Sequence, residues 1–269
     1  MAIIKGPFEI TGSIKGVSFY KQAGSDKVIM RTKGGPTKEK IAKSPKFEKL
    51  RLNQQEWGGC VKMTAALRRA VFATSALSDF NVSAAFNGLN KEVQKCDKER
   101  PLGNRAIELT LRKYVLDGYS FNRKNSFNSL LRVYISHTIC REELRATFQI
   151  PYIHGETHLN NYYNHPYFRI VLMLGSVSDM VHTEEANGYI PLCHELHGNG
   201  KISYTEWFST GGVVESRVAE VAIDEYYRQF LTDDVTLIAS IGIEFGKAAF
   251  TTEPQPVKHS GAAMILTTV

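Results

Sequence analysis

The hydrophobic pattern of the chain changes period twice. Between residues 8 and 33, apolar and β-branched residues crowd three short runs, FEITG, GVSFYKQ and KVIMRT, with Gly24-Ser25-Asp26 between the last two. Runs of this type around a Gly/Ser/Asp cluster predict a β-hairpin. The next stretch, KGGPTKEKIAKSPK, is rich in glycine, proline and lysine and has no apolar period. It reads as a flexible basic linker, so residues 1–43 form a hairpin arm and its tether.

At Ser44-Pro45 the period becomes helical, with Ser as the cap and Pro in the first turn. Phe47, Leu50, Trp57, Val61, Leu67 and Val71 then recur at helical spacing. Gly58-Gly59 interrupt this helix and predict a kink, or a close approach by a neighbouring element. Val82, Phe86, Leu89, Val93 and Cys96 mark a second helix, and Ile107, Leu111 and Val115 a third. Short connections between them predict a small helical bundle over 44–116. From Asp117 onward the period is two. RVYISHTI, RATFQIPYI, YFRIVLMLGSVSDMVH, KISYTEWFS, VESRVAEVAI, VTLIASIGIEFG and AAMILTTV are separated by Gly, Asn and Pro clusters. This spacing predicts an antiparallel β-sandwich of immunoglobulin-like architecture over 117–269, and an α+β fold for the whole chain.

Composition supports a packed core, with 43% hydrophobic residues in 269. No apolar run is long enough to span a membrane. The start, MAIIKGPFEITG, is too briefly apolar for the core of a signal peptide. The expected location is therefore the cytoplasm, with an extracellular or virion-like particle as the alternative if release follows a non-standard route. Cys60, Cys96, Cys140 and Cys193 form no CxxC pair, so neither a zinc knuckle nor a redox motif is present.

Charge changes the picture more. Residues 1–150 hold 27 Lys/Arg against 13 Asp/Glu, a net of +14, whereas residues 151–269 hold 6 against 14, a net of −8. A basic front and an acidic back fit a polyanion partner or head-to-tail contact between copies.

The chemical motifs are weak. KGVSFYK partly matches the RNA-recognition strand, but no βαββαβ order follows it. GGPTKEK lacks the spacing of a phosphate loop, and no G-x-S-x-G elbow occurs. HGETH and CHELH offer His154, His158, His194 and His197 as zinc-ligand types, although HGETH has the outer spacing of a zinc-protease helix without its order. No catalytic residue and no cofactor is implied.

TGSIKGVSFYKQAGSDKVIMRTKGG, followed by FEKLRLNQQEWGGCVKMTAALRRAVF, resembles the start of a widespread bacterial group without an assigned activity. That group opens with a G-x-[IL]-x-[GN]-[VI]-x-[FY]-Y strand. PYFRIVLMLGSVSD, ASIGIEFGKAAF and LDGYSFN resemble its later segments, while residues 153–197 depart from it. The resemblance implies a hairpin, a helical segment and a C-terminal sandwich, in proteins of structural or phage-like assembly type.

The resulting expectation is a non-enzymatic subunit that self-assembles into a filament, ring or phage-like particle. A two-stranded hairpin is marginal alone and needs a surface to pair with. Ile14, Val17, Phe19, Tyr20, Val28, Ile29, Met30 and Arg31 are the expected assembly interface. The alternative is a nucleic-acid-binding protein whose polyanion contacts are Lys33, Lys38, Lys40 and Lys43.

Overall fold

Four antiparallel strands open the chain in the computed structural model, which describes residues 2–4, 10–22, 25–32, 34–248 and 253–269. They are β1 (Ala2–Ile4), β2 (Gly12–Ile14), β3 (Val17–Lys21) and β4 (Val28–Thr32), in the order β1-β4-β3-β2. The expected hairpin, β3 with β4, is thus the centre of a small sheet; Phe8, Glu9 and Gly24 of the expected arm lie outside the described residues. The lysine-rich stretch is partly helical. Thr37 caps α1 (Lys38–Lys43) by accepting a bond from the Lys40 amide, and Arg51 donates to the carbonyls of Ile41 and Ser44. These elements belong to a unit spanning Met1–Arg51, and the rest of the chain, Leu52–Val269, forms a second.

The second unit is a mixed body of helices and several antiparallel sheets. α2 (Glu48–Ala70) runs unbroken through Gly58-Gly59, and α3 (Phe72–Ser75) and α4 (Val82–Lys95) follow it. Gly59 serves a close approach: a Cβ there would fall 2.6 Å from the Tyr189 ring, whereas Gly58 faces open space. The third expected helix does not form as such. Pro101 and Gly103, the latter at φ +104°, hold residues 101–109 irregular, and only a 3-10 turn, Thr110–Val115, remains. Ile107 instead exchanges main-chain bonds with Met180.

After α5 (Phe127–Leu130) the chain is mostly strand: β5 (Ser136–Cys140), β6 (Arg145–Ile150), β7 (Ile153–His154), a turn of helix α6 (Gly155–His158), then β8 (Tyr167–Ser178), β9 (Met180–Thr183) and β10 (Gly188–Pro191). β11 (Asn199–Tyr204), β12 (Phe208–Ser209), β13 (Val213–Val214), β14 (Arg217–Ala222), β15 (Val235–Lys247), β16 (Gln255–Pro256) and β17 (Ala262–Thr268) complete it. β8 and β15 form the spine of a six-stranded sheet, flanked by β11 and β12 on one side and β16 and β17 on the other. β14-β6-β5 form a separate three-stranded sheet.

The spine is buried on both faces, and its alternation sorts side chains into two cores. Phe168, Ile170, Leu172 and Leu174 of β8 join Leu237, Ala239, Ile241 and Ile243 of β15 and Phe148 of β6 in the core shared by the two sheets. Val177, Ile238, Ala263 and Ile265 point the other way and join Met63, Leu67, Ala70 and Phe86 of the helices. The helices therefore seal the outer face of the large sheet as well as contacting one another. The seam is glycine: Gly175 and Gly200 are cross-strand partners, and a Cβ on Gly175 would overlap the Ala70 carbonyl. The hydroxyls of Thr74 and Ser240 meet at 2.9 Å across the same seam.

The glycine pair in α2 gives a paired expectation. Gly59→Ala should lower stability by about 1–3 kcal/mol, the usual cost of overpacking. Gly58→Ala should raise it by up to about 1 kcal/mol, the helix-propensity gain. Urea unfolding of both variants checks this; equal effects would contradict the assigned contact with Tyr189.

Candidate functional site

The register of the N-terminal sheet decides which side chains share a face. Ile14 pairs with Val17, Phe19 with Met30, and Lys21 with Val28. One face therefore carries the apolar row Ile14, Val17, Phe19, Val28 and Met30, bounded by Lys21 and Thr32, and the other carries Ser13, Ser18, Tyr20, Ile29 and Arg31. The first face is apolar yet poorly covered. Ile14 is 59% exposed; Val17, Phe19 and Met30 are half-buried; Val28 is buried. On the polar face the Ser13 and Ser18 hydroxyls meet at 3.1 Å, and the Arg31 guanidinium sits 5.2 Å from the centre of the Tyr20 ring. Among the described residues, no strand pairs with the outer edge of β2.

The basic candidates sit beside this sheet in sequence. Lys38, Lys40 and Lys43 are exposed on α1, and Lys33 lies outside the described residues. The Met1–Arg51 unit holds 12 Lys/Arg against 4 Asp/Glu, a net of +8, which leaves −2 for Leu52–Val269. The basic excess of the chain is therefore concentrated in its first fifth.

The histidine candidates fall into two separate places. His154 and His158 bracket α6, where the His158 Nδ1 accepts a bond from the His154 amide at 3.1 Å. His194 and His197 lie in the turn before β11, with the His197 Nδ1 3.1 Å from the Ser178 carbonyl oxygen. Among the described residues no three His, Cys, Asp or Glu side chains gather as a metal site would require. A shallow cleft beside His194 and His197 also takes in Lys62 and Arg69 from α2. Lys62 donates to the Tyr189 carbonyl and Arg69 to the His197 carbonyl, so both tie α2 to that loop.

A second set of polar residues lies inside the body, with no motif to mark it in the sequence. Glu56 is fully buried on α2, where Arg105 grips both carboxylate oxygens at 2.7 and 2.6 Å and Lys91 and the Gly103 amide add further bonds. Burial alone would raise its pKa, but the Arg105 and Lys91 bonds outweigh this and hold it down to about 2. Asp97 likewise falls to about 2, because the Ala106 amide, Arg100 and the Glu99 amide overcome its burial. These carboxylates anchor the irregular 97–109 segment to α2 and α4. Lys91 and Arg105 lie 35 and 49 residues from Glu56 in the chain, a separation that carries no periodic signal.

Two further groups, the buried Asp179 and the half-buried His197, shift in the direction set by loss of water. Asp179 rises to about 6 despite accepting bonds from the Thr110 amide and hydroxyl. His197 falls to about 4, chiefly through burial and secondarily through the nearby Arg69 charge. Asp179 is bonded to the Thr110 amide and hydroxyl, and His197, which lines the shallow cleft, lies against the Ser178 main chain. No family model, no curated protein and no solved structure matches the chain.

The two shifts oppose each other. Between its ordinary 3.8 and about 6, Asp179 binds more protons folded than unfolded, so stability falls as pH rises. Between about 4 and its ordinary 6.5, His197 binds fewer protons folded, so stability rises. Their slopes cancel near pH 4–6. Asp179→Asn should uncover a rise approaching about 1.4 kcal/mol per pH unit over that window. Urea midpoints at several pH values measure it; a variant profile parallel to that of the parent would contradict the assignment.

Proposed function

We propose that the chain is a non-enzymatic structural subunit whose copies join through the N-terminal unit. The observation that carries this reading is the incompleteness of that unit. Of its residues with described burial, only Val28 and Ile29 are buried, while the apolar row of Ile14, Val17, Phe19 and Met30 stays partly open beside an unpaired strand edge. So small a sheet buries too little apolar surface to offset the entropy of ordering it. A second copy fits as the cover because the unit carries +8 and residues 151–269 carry −8. Contact between unlike surfaces of successive copies gives a ring or an open filament, including a phage-like one. The pairing of two antiparallel sheets across one core supports reading the body as an immunoglobulin-like sandwich with helices laid on one side. The sequence resemblance to a bacterial group of assembly type agrees with this reading.

Sedimentation of the full chain over rising concentration should show assembly. Removing residues 1–34 should leave a folded monomer at every concentration. A full chain that stays monomeric, or a truncated one that assembles equally well, would overturn the proposal.

A second reading rests on the exposed lysines of α1. Phosphate contacts need only such side chains. If it holds, electrophoretic shifts of DNA or RNA will weaken steeply with salt, and replacing Lys38, Lys40 and Lys43 with Gln will reduce the salt slope by about 3. Binding indifferent to those replacements would remove it.

A further inference from the structure

An added strand needs an open edge to receive it, and the body offers few. The outer edge of β17 is occupied, because the Phe121 amide donates to the Ala263 carbonyl and the Ile265 amide to that of Tyr119. β11 and β14 lie against each other where the two sheets meet, and β11 adds the basic Lys201. β5 is different. It closes the three-stranded sheet, pairs with β6 alone, and among the described residues has no strand on its other side.

The surroundings of β5 suit a basic visitor. The β5–β6 turn carries Glu142 and Glu143. Arg141 donates to the carbonyls of Thr232 and Val235, each at 2.6 Å, and so fixes Asp233 and Asp234 beside that turn. Arg141 is thereby spent on main-chain oxygens, and Arg145 is shared between Glu143 and Glu220, so the local cations are engaged. The strand itself has the required alternation. Ser136, Thr138 and Cys140 pair with Gln149, Thr147 and Arg145 on the outward face. On the core face His137 and Ile139 pair with the fully buried Phe148 and Ala146 but are themselves only half-buried, with Ile139 as the apolar position nearest the open edge.

We propose that β5 is the acceptor edge for the N-terminal sheet of a second copy, with β2 as the strand that docks. This rests on the assembly reading above and names its other half. Edge pairing supplies main-chain hydrogen bonds, and the apolar row that begins with Ile14 continues the row that ends at Ile139. The acidic turn and the +8 unit set the polarity, so each copy donates one edge and receives at another. Natural proteins guard an open edge with lysine or proline; β5 has neither.

Cys140 provides the probe, since it is exposed on β5. In a Cys96→Ser background, which removes the other exposed thiol, Ser13→Cys, on the face of β2 opposite Ile14 and therefore on the side of Cys140, should form disulfide-linked multimers under mild oxidation. Those multimers should vanish on adding Cys140→Ser. Independently, Thr138→Lys on the open edge should raise the concentration for half-assembly at least about tenfold while leaving the circular dichroism spectrum unchanged. Assembly that persists in Thr138→Lys with no link dependent on Cys140 overturns the β5 assignment and leaves the assembly reading standing. A parent chain that is monomeric at all concentrations overturns both.

Discussion

The contact on which the body depends is the rest of a helix end against a bare patch of sheet. Gly175 and Gly200 lie side by side on β8 and β11, and the Ala70 carbonyl sits where their side chains would be. Any larger residue at Gly175 would push the end of α2 away from the sheet. Val177, Ile238, Ala263 and Ile265 would then lose the cover that Met63, Leu67 and Phe86 provide. Because the helices seal this face, the six-stranded sheet has a core on each side. The buried ion pairs act in the same direction. Glu56 and Asp97 replace regular secondary structure across 97–109 by gathering its amides and cations. Isolated charges would be too costly there, but paired and bonded ones fix the geometry of the segment.

Among the residues of the N-terminal unit with described burial, only Val28 and Ile29 are buried. Its strands pair correctly and its faces sort by character, but its apolar row ends in the open. The body has a core on each face of its large sheet, whereas the described part of the N-terminal sheet leaves Ile14, Val17, Phe19 and Met30 partly or largely exposed. Charge follows the same division. In the proposed assembly, the lysine-rich arm is the side drawn to an acidic surface. A sheet edge lends itself to repeated joining because main-chain bonding needs few side chains, so a short strand suffices.

Most of the strands were legible because period-two alternation survives even where both faces are buried. YFRIVLMLGSVSD looks continuously apolar, and in β8 the odd and even positions go to different cores. The helix from Val82 was legible from its stripe; in the helix ending at Ala70 the expected Leu50, Trp57 and Val61 are exposed, and Cys60, Met63, Leu67 and Ala70 form the buried face instead. The failures have specific causes. Ile107, Leu111 and Val115 mimic a helical stripe, yet Leu111 is 62% exposed and Ile107 bonds to Met180 as a strand would. Residues 99–106 and Thr110 are instead held by the carboxylates of Asp97, Asp179 and Glu56, and for Glu56 and Asp179 the bonded groups are tens of residues away in sequence. The Thr37 cap was present in the sequence but outweighed by the surrounding glycines and prolines. On the candidate surface, the apolar row from Ile14 to Met30 could be read from strand alternation. The open edge of β5 could not, because an edge is defined by which strand is missing beside it.

Hydrogen exchange at two protein concentrations about a hundredfold apart tests the central claim most directly, by following the amides of Val17–Lys21 and Val28–Thr32. If the N-terminal sheet is completed by another copy, those amides will exchange rapidly in the dilute sample and become protected in the concentrated one, while β8 and β15 remain protected in both. Protection in the N-terminal strands that is strong and independent of concentration would contradict the account.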